Sequence, residues 1–225
     1  MNILICSATI FEVAPFRKYL ENNFQNIDNQ LFTNNKLNIY LKITGIGMTL
    51  TAYNLGKFLS KYKIDVAINV GIAGAIDQIF KIGDIVNVVS EVFGDVGVEN
   101  SDGSFSSMHE LDLIPKNEFP FRNGKLENPD KDFSSFLPKA KGLTINKVHG
   151  QSSSIAALRH RTDAQIETME GAAFFYVCMV EKISFLQIRA ISNFVEPRNR
   201  DNWNIPLAIT NLNEVLTELI ETFGT

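Results

Sequence analysis

Cysteine and histidine, on which disulfides and many metal sites depend, are scarce in this chain. Its 225 residues include two cysteines and three histidines. Cys6 and Cys178 each lie in an apolar run, which favours small buried side chains over a disulfide or a nucleophile. The histidines are scattered and form no ligand set with the cysteines. The sequence therefore predicts neither a metal site nor an organic cofactor.

Basic clusters and long apolar runs are also missing. The chain carries 21 Lys and Arg against 25 Asp and Glu, a net charge of −4, with no basic tract. Proteins that bind nucleic acid need clustered cations to neutralise phosphates, which argues against such a partner. The first apolar run, residues 3–6, is too short for a signal sequence or a membrane span. We therefore expect a cytoplasmic protein that does not associate with membranes.

Apolar runs and turn-forming residues alternate along the rest of the chain. The segments predicted as strands are 2–8, 37–44, 66–70, 84–93, 142–148 and 184–192. The segments predicted as helices are 11–23, 48–62, 152–160, 171–181 and a last helix that begins near Pro206. Without an internal repeat or a linker, this alternation predicts one α/β domain over residues 1–225, built on a mixed sheet.

One long segment does not fit the alternation. Residues 94–138 contain four of the seven prolines, together with Gly, Asn, Ser, Asp and scattered Phe. A stretch of this length without regular structure usually has a function or contains small elements of its own. We expect the aromatic-rich part of this insertion, residues 93–136, to act as a lid or to form part of a subunit interface.

Two carboxylates are placed where helices should begin. Glu12 follows the first strand and opens a helix, and Glu170 precedes the small residues 171–173. Such a carboxylate is stabilised by the helix dipole. The ordinary interpretation of each is a solvated first-turn Glu. The alternative for Glu170 is that it accepts two hydrogen bonds from a ribose cis-diol, with Met169 covering the sugar.

The apolar strand 184–192 carries one unexpected residue and ends at another. Asn193 offers one acceptor and two donors, which suits the edge of a base, although a strand-terminal turn residue is the simpler interpretation. Arg189 lies inside the strand, and Arg is rarely buried unless it is paired. We expect a carboxylate partner and a structural role for Arg189.

The polar loop that follows contains Arg198, Arg200 and Trp203. A solvated loop is the default interpretation of this composition. The alternative is a clamp for an aromatic carboxylate, because guanidinium groups match carboxylates and stack on rings.

Two glycine turns, Gly45-Ile46-Gly47 and Gly71-Ile72-Ala73-Gly74, resemble phosphate cradles. The first fails as a dinucleotide-binding fingerprint because Leu50 stands where Gly or Ala is required. Neither turn has Arg or Lys beside it in the sequence, although a phosphate nucleophile would need such a cation. This pattern favours water over phosphate as the attacking group.

Taken together, these segments resemble the purine nucleoside phosphorylase and nucleosidase superfamily, over essentially the whole chain. The segments that match its landmarks in order are 2–13, 45–47, 69–74, 83–86, 169–173 and 189–192. The resemblance implies a three-layer sandwich around a mixed sheet, with Glu12 as the catalytic base and Glu170 and Met169 at the ribose. It also places Ile72, Gly74 and Val148 at the substrate, and it implies a homo-oligomer, in the first place a homodimer.

Two further features resemble one branch of that superfamily, the futalosine hydrolases of menaquinone biosynthesis. Nucleosidases that act on adenine carry Asp where this chain has Asn193, and segments 148–150 and 193–203 look like that branch. The resemblance implies cleavage of futalosine, a 6-oxopurine nucleoside with a 5′ carboxyphenyl ketone, to hypoxanthine and dehypoxanthine futalosine. Asn193 would then stabilise the leaving base, and Arg198 or Arg200 would pair with the 5′ carboxylate.

The chemistry of the base favours the same substrate. Hypoxanthine presents the acceptors O6 and N7 on one edge, to which an uncharged amide donates and which an ionised Asp would repel. A site built on one hydrogen-bond pattern rejects the wrong base by about 10⁴ or more. Three alternatives stay open: a methylthioadenosine/adenosylhomocysteine nucleosidase, a purine nucleoside phosphorylase, and a non-catalytic nucleoside-binding module. The last is disfavoured because a pure binder needs no base such as Glu12.

Overall fold

A computed structural model of the chain describes residues 1–130 and 136–224, in which strands and helices alternate. The described strands are β1 (Asn2–Ser7), β2 (Gln25–Asn26), β3 (Leu31–Thr33), β4 (Asn38–Ile43), β5 (Val66–Ala75), β6 (Ile85–Phe93), β7 (Gly97–Glu99), β8 (Phe105–Ser107), β9 (Leu126–Glu127), β10 (Lys139–Thr144), β11 (Ile166–Thr168) and β12 (Ser184–Phe194). The described α-helices are α1 (Ile10–Asn23), α2 (Met48–Leu59), α3 (Ser152–Arg161), α4 (Gly171–Val180) and α5 (Ile205–Gly224), and a 3₁₀-helix spans Arg200–Asn202. Part of the predicted insertion, residues 131–135, lies outside the described residues, as does residue 225.

Ten of these strands form one mixed sheet in the order β11-β10-β6-β12-β5-β1-β4-β3-β2, with β9 attached to β6. The strands β4, β1, β5 and β12 run parallel to one another, whereas β6 is antiparallel to β12. The far end of β5 also pairs antiparallel with β11, so that β5, β12, β6, β10 and β11 close into a ring. This closure brings the ends of β5, β11 and β12 together.

Alternation along β1 shows how the sheet receives a layer of helices on each face. Ile3 and Ile5 belong to the core on one face, and Leu4 and Cys6 belong to the core on the other, because successive side chains of a strand point in opposite directions. Helices α1 and α5 contribute to the first core, and α2 and α4 contribute to the second. The predicted three-layer α/β fold with a mixed sheet is confirmed.

The structure departs from the sequence prediction at several strands, and β2 and β3 are among those that were not predicted. The strand predicted to end at residue 70 continues through the glycine turn to Ala75, because β12 pairs with its whole length. The strand predicted at 142–148 is found at Lys139–Thr144. The three-residue strand β11 was not predicted. The insertion contains a β7–β8 hairpin and β9, as expected of a segment with small elements of its own.

Both cysteines are free thiols in the core. Cys6 is 1% exposed and Cys178 is 0% exposed. Burial raises the pKa of Cys6 to about 12, and burial also raises the pKa of Cys178 well above its ordinary value. Among the described helices, none combines the length and the apolar character needed to cross a membrane.

Candidate active site

A cavity of about 810 Å³ lies where β1, β5 and β12 end, beside the segment that follows β11. Ligands of α/β sheets bind at such carboxyl ends of parallel strands. Eight of the nine residues predicted for the site line this cavity: Glu12, Ile72, Gly74, Val148, Met169, Glu170, Asn193 and Arg198. The ninth, Arg200, is exposed in the 3₁₀-helix and does not line it.

Glu12 is fixed by the start of its own helix and by β5. Its Oε2 accepts hydrogen bonds from Ser7 Oγ at 3.1 Å, from the Thr9 backbone N–H at 3.0 Å and from Thr9 Oγ1 at 2.9 Å. Its Oε1 accepts from the backbone N–H of Ile72 at 3.2 Å. The side chain is only 8% exposed, so Glu12 is not the solvated first-turn residue of the ordinary interpretation.

Gly71 is the place where Glu12 meets the sheet most closely. A Cβ at Gly71 would lie 2.8 Å from Glu12 Oε1 and 3.4 Å from Nη1 of Arg189. No cation lies beside this turn in the sequence, but the fold brings Arg189 to it from the neighbouring strand β12. The carboxylate of Glu12 occupies the same position, however, and it would repel an attacking phosphate.

Glu170 is also buried rather than solvated, at 8% exposure. Its Oε1 accepts a hydrogen bond from the backbone N–H of Gly47 at 2.9 Å. Gly45 and Gly47 both adopt a φ of 90°, a left-handed conformation that glycine permits and that directs this N–H at the carboxylate. Burial raises the pKa of Glu170, while Arg189 and the Gly47 N–H oppose that rise.

Arg189 is 1% exposed beneath the two carboxylates. Its Nη1 donates to Asn69 Oδ1 at 3.3 Å, and no carboxylate oxygen of the described residues reaches ion-pair distance. The expected direct carboxylate partner is therefore not found. Burial lowers the pKa of Arg189, and Glu170, Glu12 and Glu91 oppose that change from longer range. Arg189 thus balances a cluster of negative charge without pairing to one member of it.

Glu91 completes this buried network and was not predicted from the sequence. It is 0% exposed, and it accepts hydrogen bonds from Gln187 Nε2 at 2.6 Å and from Thr144 Oγ1 at 2.9 Å. Gln187 in turn accepts from Asn69 at 3.2 Å, which connects Glu91 to Arg189. Burial raises the pKa of Glu91 to about 7, against the hydrogen bonds from Gln187 and Thr144.

The other end of the cavity is built around Gly74. In the sheet register Gly74 lies between Glu167 of β11 and Asn193 of β12. Residues opposite one another on adjacent strands project from the same face, so a missing side chain at Gly74 leaves a gap between the two polar groups. A Cβ at Gly74 would lie 3.2 Å from Asn193 Nδ2 and 3.0 Å from Val195 Cγ2. Glycine at position 74 therefore keeps this part of the cavity wall free of a side chain that would crowd Asn193.

The Asn193 amide is oriented by its neighbours. Its Oδ1 accepts from Ser192 Oγ at 2.8 Å, and its Nδ2 donates to the carbonyl of Phe194 at 2.9 Å. Ser192 is the extra residue of a bulge in the pairing of β12 with β5. An amide nitrogen has two protons, so one N–H of Asn193 remains available to a ligand.

A histidine and a carboxylate that the sequence left without a role meet in the same cavity. His149 and Glu167 both line it. The backbone N–H of His149 donates to Glu167 Oε1 at 3.1 Å, and His149 Nδ1 hydrogen-bonds to Glu167 Oε2. The side chain of Glu167 is 3% exposed and that of His149 is 14% exposed, so the pair is largely shielded from solvent.

Arg198 and Trp203 form the rim of the cavity. The guanidinium carbon of Arg198 lies 5.9 Å from the centroid of the Trp203 ring, and that of Arg200 lies 6.0 Å from it. The Arg198 backbone N–H donates to Gly150 at 3.2 Å, which holds the two rim loops together. Of the two arginines, Arg198 alone lines the cavity.

No group of three or more His, Cys, Asp and Glu side chains in residues 1–130 and 136–224 is arranged to hold a metal ion. The charged groups that line the cavity are instead its carboxylates, Lys147 and Arg198, with Arg189 buried beneath them. This arrangement can orient a water molecule at one end, between Glu12 and Glu170, and can hydrogen-bond a polar ring at the other.

A family model described as the phosphorylase superfamily matches residues 2–221 of the chain. Futalosine hydrolase of Thermus thermophilus is 28% identical over 188 residues, which are 83% of this chain and 82% of that protein. A 5′-methylthioadenosine/S-adenosylhomocysteine nucleosidase of Buchnera aphidicola is 27% identical over 229 residues, which cover 92% of this chain and 91% of that protein.

The fold is shared with solved structures of low sequence identity. Futalosine hydrolase of Helicobacter pylori superposes with a TM-score of 0.81 at 15% identity, over 99% of this chain and 98% of that chain. A 5′-methylthioadenosine/S-adenosylhomocysteine nucleosidase of Neisseria meningitidis, in complex with methylthio-immucillin-A, superposes with a TM-score of 0.77 at 18% identity. That match covers 98% of this chain and 99% of the other.

Proposed function

This chain belongs to the phosphorylase superfamily, and we propose that it hydrolyses the N-glycosidic bond of futalosine, releasing hypoxanthine and dehypoxanthine futalosine. The observation that carries the proposal is the uncharged amide of Asn193 beside the gap at Gly74, because it matches the acceptor edge of a 6-oxopurine. The likeness to a futalosine hydrolase over 83% of the chain supports it. Such a reaction belongs to menaquinone biosynthesis and needs neither a metal ion nor an organic cofactor.

In this proposal Glu12 is the general base. Its carboxylate accepts four hydrogen bonds, which hold it in one orientation beside a water molecule below the anomeric carbon. Proton transfer of this kind typically accelerates a reaction by about 10²–10⁴. The negative charges of Glu12 and Glu170 also stabilise the positive charge that develops on the sugar as the bond breaks.

The remaining residues divide between the sugar, the base and the 5′ group. Glu170 binds the 2′ and 3′ hydroxyls of the ribose, and Met169 covers the sugar. Asn193 donates its remaining N–H to O6 or N7 of the leaving hypoxanthine. Arg198 at the rim pairs with the 5′ carboxylate, while Ile72, Gly74 and Val148 shape the cavity around the ligand.

A second candidate is hydrolysis of methylthioadenosine or adenosylhomocysteine. The likeness to a nucleosidase of that name over 92% of the chain favours it. Both candidates use Glu12 and Glu170 in the same way. They differ in the base edge and in the 5′ group, where a methylthio group gives Arg198 no partner.

Release of free base, separated by chromatography, tests the proposal. The protein is incubated with futalosine and with methylthioadenosine in parallel, without phosphate, and Glu12→Gln serves as the blank. Hypoxanthine from futalosine alone is the expected result. Adenine from methylthioadenosine would establish the second candidate instead, and release that requires phosphate would identify a phosphorylase.

We also infer that residues 1–225 act as one catalytic domain, in a cytoplasmic homodimer. The large exposed side chains Leu50 and Tyr53 of α2, at 49% and 63% exposure, support a subunit interface on that helix. Two buried, unpaired cysteines suit a reducing compartment. Sedimentation equilibrium should give twice the chain mass of 25.2 kDa; a single-chain mass would contradict the dimer.

A further inference from the structure

We propose that His149, oriented by Glu167, is the residue that recognises O6 of the leaving base and stabilises the charge that the base acquires. This inference rests on the proposed function and adds a specificity-determining residue to it. The observation behind it is the hydrogen-bonded pair that His149 and Glu167 form in the wall of the cavity.

The position of the pair follows from the sheet. Glu12 contacts β5 at Gly71 and Ile72, whereas Glu167 pairs with β5 at Gly74. Three residues along a strand span about 10 Å. The pair therefore lies at the opposite end of the cavity from the catalytic carboxylate, which is the end where the base must lie if Glu12 serves the anomeric carbon.

The pair also lies across the gap from Asn193. Glu167 and Asn193 flank Gly74 on its two neighbouring strands, so their backbones are about 10 Å apart, two strand spacings. A purine inserted over Gly74 is then contacted by Asn193 from one side. On the other side the purine contacts His149, whose ring is hydrogen-bonded to Glu167.

The hydrogen bonds of the pair leave one ring atom for a ligand. Both carboxylate oxygens of Glu167 are already engaged by His149, since one accepts from its backbone N–H and the other is hydrogen-bonded to Nδ1. The Nε2 atom of His149 has no hydrogen bond to any described residue. With Nδ1 bonded to Glu167, Nε2 is the ring atom left to contact the base, and recognition of O6 requires that Nε2 carry a proton.

An Nε2–H donor at this position discriminates between the two purines. The carbonyl O6 of hypoxanthine accepts from Nε2–H, whereas the 6-amino group of adenine presents a donor to a donor. As the C1′–N9 bond breaks, its electron pair moves onto the purine, and the Nε2–H···O6 bond strengthens with the growing charge on O6. Water supplies the hydroxyl to C1′ and gives one proton to Glu12. The released purine anion takes up one proton from solvent and Glu12 returns its proton to solvent, so that neutral hypoxanthine leaves and the reaction balances.

Two substitutions of His149 separate its two nitrogens. His149→Asn keeps an amide N–H near the position of Nδ1, so the bond to Glu167 survives while Nε2 is lost. His149→Gln places an amide N–H near Nε2 and loses the Nδ1 contact. His160→Asn is the control, because His160 is exposed on α3 and does not line the cavity.

The expected result is a loss of kcat whose size depends on the leaving group. With His149→Asn, kcat for futalosine should fall by about 10²–10³, as for removal of one donor to a developing oxyanion. For the analogue in which 4-nitrophenolate replaces hypoxanthine, kcat should change less than about threefold, because that group leaves without assistance. With futalosine, kcat of His149→Gln should be about tenfold higher than that of His149→Asn. His160→Asn should behave as the wild type.

Binding of free hypoxanthine, measured by calorimetry, tests the inference apart from catalysis. Hypoxanthine should bind His149→Asn at least about tenfold more weakly than the wild type, with adenine as the reference base. Equal losses on both leaving groups, or unchanged hypoxanthine binding, would overturn the role of His149. Failure of the wild type to cleave futalosine would overturn the proposed function alone, provided that hypoxanthine binding still depends on His149.

Discussion

The backbone N–H of Gly47 donates to Oε1 of Glu170 at 2.9 Å, although 123 residues separate them in the chain. Gly47 adopts a left-handed φ of 90° at this contact, a conformation that glycine permits. A glycine turn that looks like a phosphate cradle in the sequence therefore holds a protein carboxylate in place. Because the site already contains this anion, it is suited to a cation-like transition state on a sugar.

Glu170→Gln should reduce kcat/KM for futalosine by about 10–100-fold, because a neutral amide loses charge-assisted hydrogen bonds to the ribose hydroxyls. Gln still offers an oxygen to Gly47, so the turn should keep its position. The loss should be smaller with the 2′-deoxy analogue of the substrate. Glu181→Gln, at the exposed far end of α4, is the matched control; equal losses on both substrates would count against a ribose contact.

Glu12→Gln should lower kcat by about 10²–10⁴, because the amide cannot take a proton from water. The Gln oxygen can still accept from Ser7 and Thr9, so binding of a substrate analogue should change less than about threefold. Glu21→Gln on the exposed face of the same helix controls for the change of charge. Steady-state kinetics with calorimetry checks both points, and a kcat near that of the wild type would remove Glu12 from the base role.

Gly74→Ala should block the base while leaving the fold intact. The added Cβ would lie 3.0 Å from Val195 Cγ2 and 3.2 Å from Asn193 Nδ2, inside the gap between the two polar groups. We expect hypoxanthine to bind at least about tenfold more weakly. Gly56→Ala in α2 meets nothing within 4 Å and should stabilise the protein by about 0.5–1 kcal/mol. Retained hypoxanthine affinity in Gly74→Ala would contradict the placement of the base.

Arg198→Gln should raise KM for futalosine by about 10–100-fold, the value of a hydrogen bond between charged groups. Inosine, which lacks the 5′ carboxylate, should show little change. Arg200→Gln is the matched control, since Arg200 stacks on the same Trp203 ring but does not line the cavity. A larger effect from Arg200 than from Arg198 would reverse the assignment.

Glu91→Gln should change how stability depends on pH. Burial raises the pKa of Glu91 from 4.5 to about 7, so the unfolded chain ionises this group before the folded protein does. The stability present below pH 4.5 is therefore lost progressively as the pH rises through about 7, by an amount on the order of 3 kcal/mol. The free energy of unfolding, measured with urea between pH 4.5 and 8, should depend less on pH in Glu91→Gln than in the wild type. The exposed control Glu99→Gln should show the pH dependence of the wild type.

Elements with a local signal were predictable from the sequence. The first helix was predicted at 11–23 and is found at Ile10–Asn23, because Thr9 and Glu12 lie at the spacing of a helix start. The last helix, Ile205–Gly224, follows from an apolar stripe that keeps helical spacing over its whole length. The glutamates at the predicted helix starts proved to be the buried carboxylates of the cavity.

What the sequence did not reveal depends on partners that are distant in the chain. Glu91 looks like an ordinary polar position in a strand, and only its contacts with Gln187 and Thr144 make it a buried acid. Gly171 is one of the small residues after Glu170, and a Cβ there would collide with the carboxyl group of Glu91. Glu167 lies in a three-residue strand, which is too short to show a period. Nothing in the sequence therefore connects Glu167 with His149.

Because Cys6 and Cys178 are buried, the rate of thiol alkylation reports how often the protein unfolds globally. Neither sulfur is accessible in the native state, and both thiols resist ionisation there, so a reagent such as iodoacetamide can react only when the core opens. Cys6 lies in β1 at the start of the chain, and Cys178 lies in α4 in its last third. Modification at matching rates would show that both parts open together. A ligand that occupies the cavity should slow both rates equally, which reports binding without any chemistry at the site.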